Sequence, residues 1–283
     1  MRRPKNGAGF TIIELLIVFA VIASISLATI PFISGKQSST NFNVGIRQVD
    51  NQINSALSDV STGAISIVKD NLKYQCTTSP SGLGTYSFTG ISLAVAGTSN
   101  IGSNFNCQMI GEEIFFSDKS LTLIPLSGLK YSDTSLTQVA SLQQSIPCPM
   151  YIFTNAVNNG CTNNGLNLSY TYNYSSGMKL EKYNNNNLNG GAALALVSVN
   201  SISNNTANGS GSIDLINLGI TGNTLANSAS VLTSGLIGVS STTYNTPITL
   251  CFSGSGTSAY GILRIGSNNS PTNIDLTFKQ GGC

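Results

Sequence analysis

Histidine is absent from the 283 residues of this chain. The side chain that most often acts as a general acid or base near neutral pH, and most often binds a metal, is therefore missing. A Ser-His-Asp or Cys-His catalytic site and an imidazole-bound metal site are both excluded. We expect a protein that is not an enzyme and that needs no cofactor.

Charge is scarce as well. Charged residues make up 8% of the chain, against about 25% in an ordinary soluble protein. The formal net charge is +2, and Arg2, Arg3 and Lys5 alone outweigh this excess. Without these three residues the chain has no basic surplus of the kind that binds nucleic acid, so we do not expect nucleic acid as a partner.

One long apolar run stands near the N-terminus. From Phe10 to Ile33 there are 24 residues with a single charge, Glu14. Because about 20 apolar helical residues cross a bilayer core, this run predicts a membrane-spanning helix. The basic residues precede it, which places the N-terminus in the cytoplasm and the bulk of the chain outside.

Three interpretations of this run compete. A secretory signal peptide would be cut near Ser26-Leu27-Ala28, where two small residues flank a leucine. An ordinary membrane anchor would carry Glu14 by accident, although a carboxylate at this depth costs about 3 kcal/mol. In the third interpretation Glu14 has a designated partner once the protein is assembled, and the glutamate favours this one.

The residues around Glu14 form a recognisable pattern: a short basic leader ends in Gly9, and Phe10, Thr11, Glu14 and the apolar run follow. This pattern resembles the prepilin signature of type IV pilins, minor pilins and type II secretion pseudopilins. The resemblance implies that a membrane-bound prepilin peptidase cuts between Gly9 and Phe10 and methylates the new amine of Phe10. It also implies an inner-membrane assembly platform and other pilin subunits as partners.

In this family the precursor is held in the cytoplasmic membrane and the mature subunit enters an extracellular filament. The resemblance implies that Glu14 pairs with the Phe10 amine of a neighbouring subunit, which would offset the cost of a buried carboxylate. It also associates Pro31 with a locally unwound stretch of the helix in filaments. In the alternative interpretation, Pro31 simply ends the membrane helix.

The length of the chain bears on its role. A mature chain of 274 residues (283 − 9) is long for an abundant filament subunit, which favours a minor pilin with an enlarged head. The alternatives are a type II secretion pseudopilin and an adhesive or binding module at a filament tip.

Helical periodicity resumes after the apolar run. Apolar residues spaced by three or four positions predict an amphipathic helix with one buried stripe: Ile46, Val49, Ile53, Leu57 and Val60. We therefore divide the chain into a leader at 1–9, a membrane or filament-core helix at 10–33, an amphipathic helix at 34–62 and an extracellular head at 63–283.

Beyond residue 63, short apolar runs alternate with Gly, Asn, Ser and Pro, which predicts a mostly antiparallel sheet. The predicted fold class is thus α+β, with one long helix on a β-rich head. The predicted strands lie at 86–95, 113–116, 121–126, 150–153, 168–174, 192–199, 248–252, 259–265 and 274–278. The Asn- and Gly-rich segment 183–211 is predicted to be a long mobile loop carrying one strand.

All six cysteines follow the apolar run, which indicates disulfides in an oxidising compartment: Cys76, Cys107, Cys148, Cys161, Cys251 and Cys283. None lies in a Cys-x-x-Cys pair, so a metal site is not indicated. Chain order and short loops favour the pairs Cys76–Cys107, Cys148–Cys161 and Cys251–Cys283 among the 15 possible pairings. In the family, a C-terminal region bounded by a disulfide is frequent in pilins and less frequent in pseudopilins. The pair Cys251–Cys283 resembles this pilin feature in position.

Other clusters are less informative. Glu112 and Glu113 are adjacent, so in a strand their side chains point to opposite faces and cannot converge. Nothing in the sequence places Asp214 near Asp275. Alternating tyrosines at 170, 172 and 174, with Tyr183 nearby, could bind a glycan or a partner, but packing is the favoured interpretation.

Overall fold

The computed structural model describes residues 11–62, 72–80, 86–95, 107–131, 137–139, 142–150, 168–175, 177–198, 213–220, 246–266, 270 and 272–283. A long helix, α1, covers Ile12–Thr62, and a one-turn helix, α2, covers Leu142–Ser145. The strands, in chain order, are β1 Leu72–Pro80, β2 Tyr86–Val95, β3 Cys107–Ser117, β4 Ser120–Leu129, β5 Cys148–Pro149, β6 Tyr170–Asn173, β7 Met178–Tyr183, β8 Asn186–Asn187, β9 Gly191–Ser198, β10 Ile213–Ile220, β11 Ile248–Gly254, β12 Ala259–Ile265 and β13 Ile274–Gln280.

The described strands form three sheets. The order β10-β9-β3-β4-β5, with β6 also paired to β4, makes a six-stranded sheet. The order β13-β12-β11-β7-β8 makes a five-stranded sheet, and β1 pairs with β2 alone. Every pairing between these strands is antiparallel. The predicted combination of an N-terminal helix and a largely antiparallel β-rich region is confirmed.

The C-terminal half of α1 packs against both larger sheets. Its inward-facing side chains are at most 6% exposed: Phe42, Ile46, Val49, Ile53, Ala56, Leu57 and Val60. They share one core cluster with Leu194 of the six-stranded sheet and with Phe252 and Leu263 of the five-stranded sheet. All five aliphatic residues of the predicted stripe are therefore buried, as the spacing indicated.

Glycines allow the helix to lie close to the five-stranded sheet. A Cβ atom on Gly261 of β12 would lie 2.2 Å from Cδ1 of Ile46, and one on Gly254 of β11 would lie 2.8 Å from the ring of Phe42. Neither position could hold a larger residue without displacing a buried side chain of α1. The close approach explains why this sheet presents backbone, not side chains, to the helix at these two points.

The helix does not break at Pro31. α1 is continuous from Ile12 to Thr62, so the alternative that this proline ends the membrane helix is wrong. Proline removes one backbone hydrogen bond, and the packed turns that follow stabilise the helix beyond it. Local unwinding at Pro31 inside a filament stays a prediction.

The strand predictions are confirmed for β2 and β12 with the predicted bounds. Six further predicted strands overlap observed strands but differ from them at the ends, namely those that correspond to β3, β4, β6, β9, β11 and β13. Of the predicted strand at 150–153, residues 151–153 lie outside the described residues. Five strands were not predicted: β1, β5, β7, β8 and β10. The start of the predicted loop at 183–211 is instead a tight hairpin, since β7 and β8 are joined through Asn184 and Asn185, whose φ angles are 48° and 65°. Asparagine tolerates this left-handed backbone better than most residues.

A disulfide bond joins Cys251 of β11 to Cys283, as predicted. The C-terminal segment thus reaches from β13 back to β11, and the Lys182 ammonium of β7 donates a hydrogen bond to the carbonyl of Cys283. Cys148 is disulfide-bonded as well. Its predicted partner Cys161 lies outside the described residues, and the pair Cys76–Cys107 stays a prediction.

Removing this bond gives a first testable result. The double variant C251S/C283S is expected to lower the free energy of unfolding by about 3 kcal/mol, because the loop between the two residues gains freedom when the chain unfolds. A urea titration followed by tyrosine fluorescence measures it, since the chain contains no tryptophan. A variant as stable as the wild type would show that the Cys251–Cys283 bond does not contribute to the stability of the fold.

Candidate assembly surface

The N-terminal part of α1 is apolar on every side. Its large apolar side chains are 51% to 79% exposed: Ile12, Ile13, Leu15, Leu16, Ile17, Val18, Phe19, Val21, Ile22, Ile25 and Leu27. A helix that is hydrophobic all round is normally surrounded by another apolar phase, either lipid or protein. We call this length, residues 12–27, the apolar rod. Among the described residues, no helix has the length and hydropathy that a membrane crossing requires.

Glu14 is the one charged residue of the apolar rod. Its Oε2 atom accepts hydrogen bonds from the backbone N–H of Thr11, at 3.0 Å, and from the Thr11 hydroxyl, at 3.1 Å. In return, the Glu14 N–H donates to the Thr11 hydroxyl oxygen at 3.3 Å. The two residues therefore form a capping box, which satisfies backbone donors at the start of α1.

The capping role of Thr11 was not predicted, although Thr11 belongs to the pattern around Glu14. The signal was present, because Thr11-Ile12-Ile13-Glu14 fits the pattern of a Ser or Thr followed three positions later by Glu. The capping box uses Oε2 only, and Oε1 of Glu14 makes no hydrogen bond with a described residue. One carboxylate can thus cap its own helix and still accept a bond from another chain.

The apolar rod, its single carboxylate and the basic leader just before it meet in one short stretch. Residues 4–30 match the family model of the prokaryotic N-terminal methylation motif. This motif is the signature of type IV pilins and pseudopilins, as the leader and Glu14 indicated. The match covers the N-terminal stretch and does not extend into the head. No curated protein sequence and no solved structure matches the chain significantly.

The motif indicates the general class of the protein, how it is processed and where it is located. It implies a pilin-like or pseudopilin subunit that prepilin peptidase processes and that assembles with other pilin subunits. It also implies a membrane-anchored precursor that later enters a surface filament. The motif belongs to a family of structural proteins.

Two adjacent carboxyl groups, of Glu112 and Glu113, are buried in the middle of the six-stranded sheet. Glu112 is 1% exposed and Glu113 is 0% exposed. Oε2 of Glu112 and both carboxyl oxygens of Glu113 have no hydrogen-bond partner among the residues the structure describes. Burial raises the pKa of both groups to about 8, with a smaller contribution to Glu112 from the Asp59 carboxylate of α1. Both are therefore mainly protonated at neutral pH.

These carboxyl groups do not form a catalytic pair. Strand alternation puts Glu112 on the face of β3 that packs against α1, and Glu113 on the opposite face. Asp214 pairs with Val197 in the six-stranded sheet, while Asp275 pairs with Arg264 in the five-stranded sheet. Within the described residues, no three metal-ligating side chains come together.

The tyrosines divide into packed and exposed members. Tyr174 is buried against Phe252 with ring centroids 5.5 Å apart, and the Tyr183 hydroxyl donates a hydrogen bond to the Ala193 carbonyl at 3.0 Å. Tyr172 donates from its hydroxyl to Oε1 of Gln48 at 2.5 Å, which ties β6 to α1. The packing interpretation is correct for these three, and Tyr170 is 45% exposed.

Proposed function

We propose that this chain is a minor pilin of a type IV pilus-like filament, cleaved after Gly9 and methylated on the amine of Phe10. Its apolar rod forms part of the filament core, and Glu14 pairs with the N-terminal amine of a neighbouring subunit. The observation that carries the proposal is the apolar rod, which is exposed on all sides and interrupted by one carboxylate.

The apolar rod needs a partner because exposed apolar surface is costly in water. Burying one large aliphatic side chain contributes roughly 2 kcal/mol. In the precursor the bilayer would surround the rod, and in the filament the rods of other subunits would replace the lipid. The same surface then serves both states, which requires no refolding of the head.

Glu14 sets the position of one rod against the next. A carboxylate among apolar helices is expensive unless a cation lies beside it. The Oε1 atom of Glu14, which makes no hydrogen bond with a described residue, can accept one from a methylated ammonium group while Oε2 keeps its bonds to Thr11. Only one axial offset between neighbouring rods brings these groups together, so the pair fixes the subunit stagger.

The disulfide supports a pilin over a pseudopilin. Cys251 and Cys283 bound the C-terminal region in the manner frequent among pilins. The enlarged head, which continues far beyond the motif, supports a minor subunit over an abundant one. An adhesive role for the head is compatible with this proposal, because the motif concerns assembly alone.

The capping box makes a sharp test of the pairing possible. Glu14→Gln keeps a side-chain oxygen for the cap but removes the charge, whereas Thr11→Ala removes the cap and keeps the charge. We expect Glu14→Gln to be cleaved after Gly9 but to reach sheared filaments at least tenfold less than the wild type. Immunoblots of sheared surface material and of the membrane fraction measure both steps.

Thr11→Ala is the matched control and is expected to assemble within about twofold of the wild type, because a lost cap costs only about 1 kcal/mol. If Thr11→Ala failed as badly as Glu14→Gln, capping would explain the glutamate and the pairing would be wrong. N-terminal sequencing tests processing separately: a start at methylated Phe10 supports the proposal. A start near Thr29 or an intact Met1 contradicts it.

A further inference from the structure

A groove of about 790 Å³ lies at the end of the five-stranded sheet where β7 begins and β11 ends. We call it the tail groove, because Gly281 and Gly282 of the C-terminal segment form one part of its lining. The end of β6 with the residues that follow it, the start of β7, the end of β11 and the turn between β3 and β4 supply the rest. The Cys251–Cys283 bond holds the C-terminal segment beside these strands.

Hydrogen-bond donors and a hydrogen-bond acceptor both line the tail groove. Oε1 of Glu181 accepts a hydrogen bond from the Ser253 hydroxyl at 2.8 Å and forms an ion pair with the Lys179 ammonium at 2.8 Å. Its Oε2 atom makes no bond with the described residues and remains an acceptor. The hydrogen bond from Lys179 holds the pKa of the Glu181 carboxyl below its ordinary value, so the group is ionised at neutral pH.

Lys119 supplies the donor on the other side. Its side chain makes no hydrogen bond or ion pair with the part of the chain that the structure describes, and it lines the tail groove together with Asn173. The space beside Gly282 is open, because a Cβ atom there would meet no atom within 4 Å. The groove therefore offers two ammonium donors, a carboxylate held by Ser253 and Lys179, and room for an occupant.

The mixture of groups limits the chemistry of that occupant. An anion would meet the Glu181 carboxylate, and a cation would meet the ammonium groups of Lys119 and Lys179. A molecule with many hydroxyl groups donates to the carboxylate and accepts from the ammonium groups without adding charge. The volume lies within the range of small-molecule sites. We propose that the tail groove binds an uncharged oligosaccharide.

The proposal is independent of the filament role, so it is tested on the full-length protein as single chains in micelles of a zwitterionic, sugar-free detergent. Lactose, maltotriose, N,N′,N″-triacetylchitotriose and mannobiose serve as uncharged probes, and 3′-sialyllactose serves as the anionic probe. Each is titrated by calorimetry. At least one uncharged probe is expected to bind with a dissociation constant in the millimolar range or below.

Variants locate the binding site. Glu181→Gln replaces the free acceptor by a donor, and Gly282→Trp fills the open space, so each is expected to weaken binding at least tenfold. Asp275→Asn on β13 changes the charge equally outside the groove and is expected to leave binding unchanged. Unfolding midpoints close to that of the wild type show that the variants are folded.

Three results would overturn the proposal. In the first, no uncharged probe binds at a concentration of about 10 mM. In the second, binding of an uncharged probe survives both Glu181→Gln and Gly282→Trp. In the third result only 3′-sialyllactose would bind, which would make the groove a site for anions. None of these outcomes affects the assembly of the filament, which the Glu14 variants test separately.

Discussion

Replacing Glu113 with glutamine is expected to raise the free energy of unfolding by on the order of 4 kcal/mol at pH 8 and to change it little at pH 4.5. The carboxyl group is fully buried, and neither of its oxygens has a hydrogen-bond partner among the described residues. Glutamine keeps the shape of the side chain and has no charge to bury. The result is measured by urea titration at both pH values with tyrosine fluorescence.

The sign follows from the two pKa values of Glu113. Burial raises the pKa in the folded state to about 8 from 4.5. Between these values the folded state keeps a proton that the unfolded state has released, so the free energy of unfolding falls as the pH rises. The stabilising contribution is complete below pH 4.5 and is lost as the pH rises to about 8. The wild type is therefore expected to be more stable in mild acid than in mild base.

Glu181→Gln is the matched control for this prediction. That carboxyl is ionised already near pH 4.5, because the hydrogen bond from Lys179 lowers its pKa. Its replacement is expected to leave the slope of stability between pH 5 and pH 8 unchanged. If the slope of Glu113→Gln matched the wild type, the buried carboxyl would have an ordinary pKa and a partner that compensates its charge.

Replacing Gly111 with alanine is expected to lower the free energy of unfolding by on the order of 3 kcal/mol. A Cβ atom on Gly111 would lie 2.1 Å from the carbonyl oxygen of Leu196 on β9. Because β9 lies between β10 and β3, its backbone cannot retreat without disturbing the hydrogen bonds on both sides. The pairing of β3 with β4 also shifts register between Met109 and Gly111, next to the point where the backbones of β3 and β9 lie close together.

Gly282→Ala makes the same chemical change in open space, since no atom lies within 4 Å of the added carbon. It is expected to shift the free energy of unfolding by less than about 0.5 kcal/mol. Comparing the two variants by urea titration separates steric conflict from the general effect of removing a glycine. Equal effects would show that β3 and β9 can separate at little cost.

The helix could be predicted from the sequence because its signals are local. The apolar run and the stripe through Ile46, Val49 and Ile53 each lie within a few turns, and the pattern around Gly9 and Glu14 is a short motif. Strands β2 and β12 were also predictable, since each is a compact apolar run between turn residues. The capping role of Thr11 was within reach as well, for the same reason.

The errors arise where distant residues decide the structure. β7 alternates Met178 and Leu180 with Lys179 and Glu181, which is the pattern of a half-buried strand, but it is short and adjoins an Asn-rich run, and its pairing with β11 decides it. β10 is embedded in a Gly- and Asn-rich region and depends on β9 in the same way. The burial of Glu112 and Glu113 follows from tertiary packing alone, because strand alternation says only that they point apart.

The packing of α1 on the head also determines how the molecule carries mechanical load. If the apolar rod is held in a filament core, tension on the head reaches the rod through side chains between Phe42 and Val60, which span about 27 Å of helix. Such a contact is loaded in shear, so many interlocked side chains must slide together before α1 is pulled out of the head. The load between the head and α1 is therefore shared by many side-chain contacts along the C-terminal half of the helix, and no single contact limits the strength of this packing.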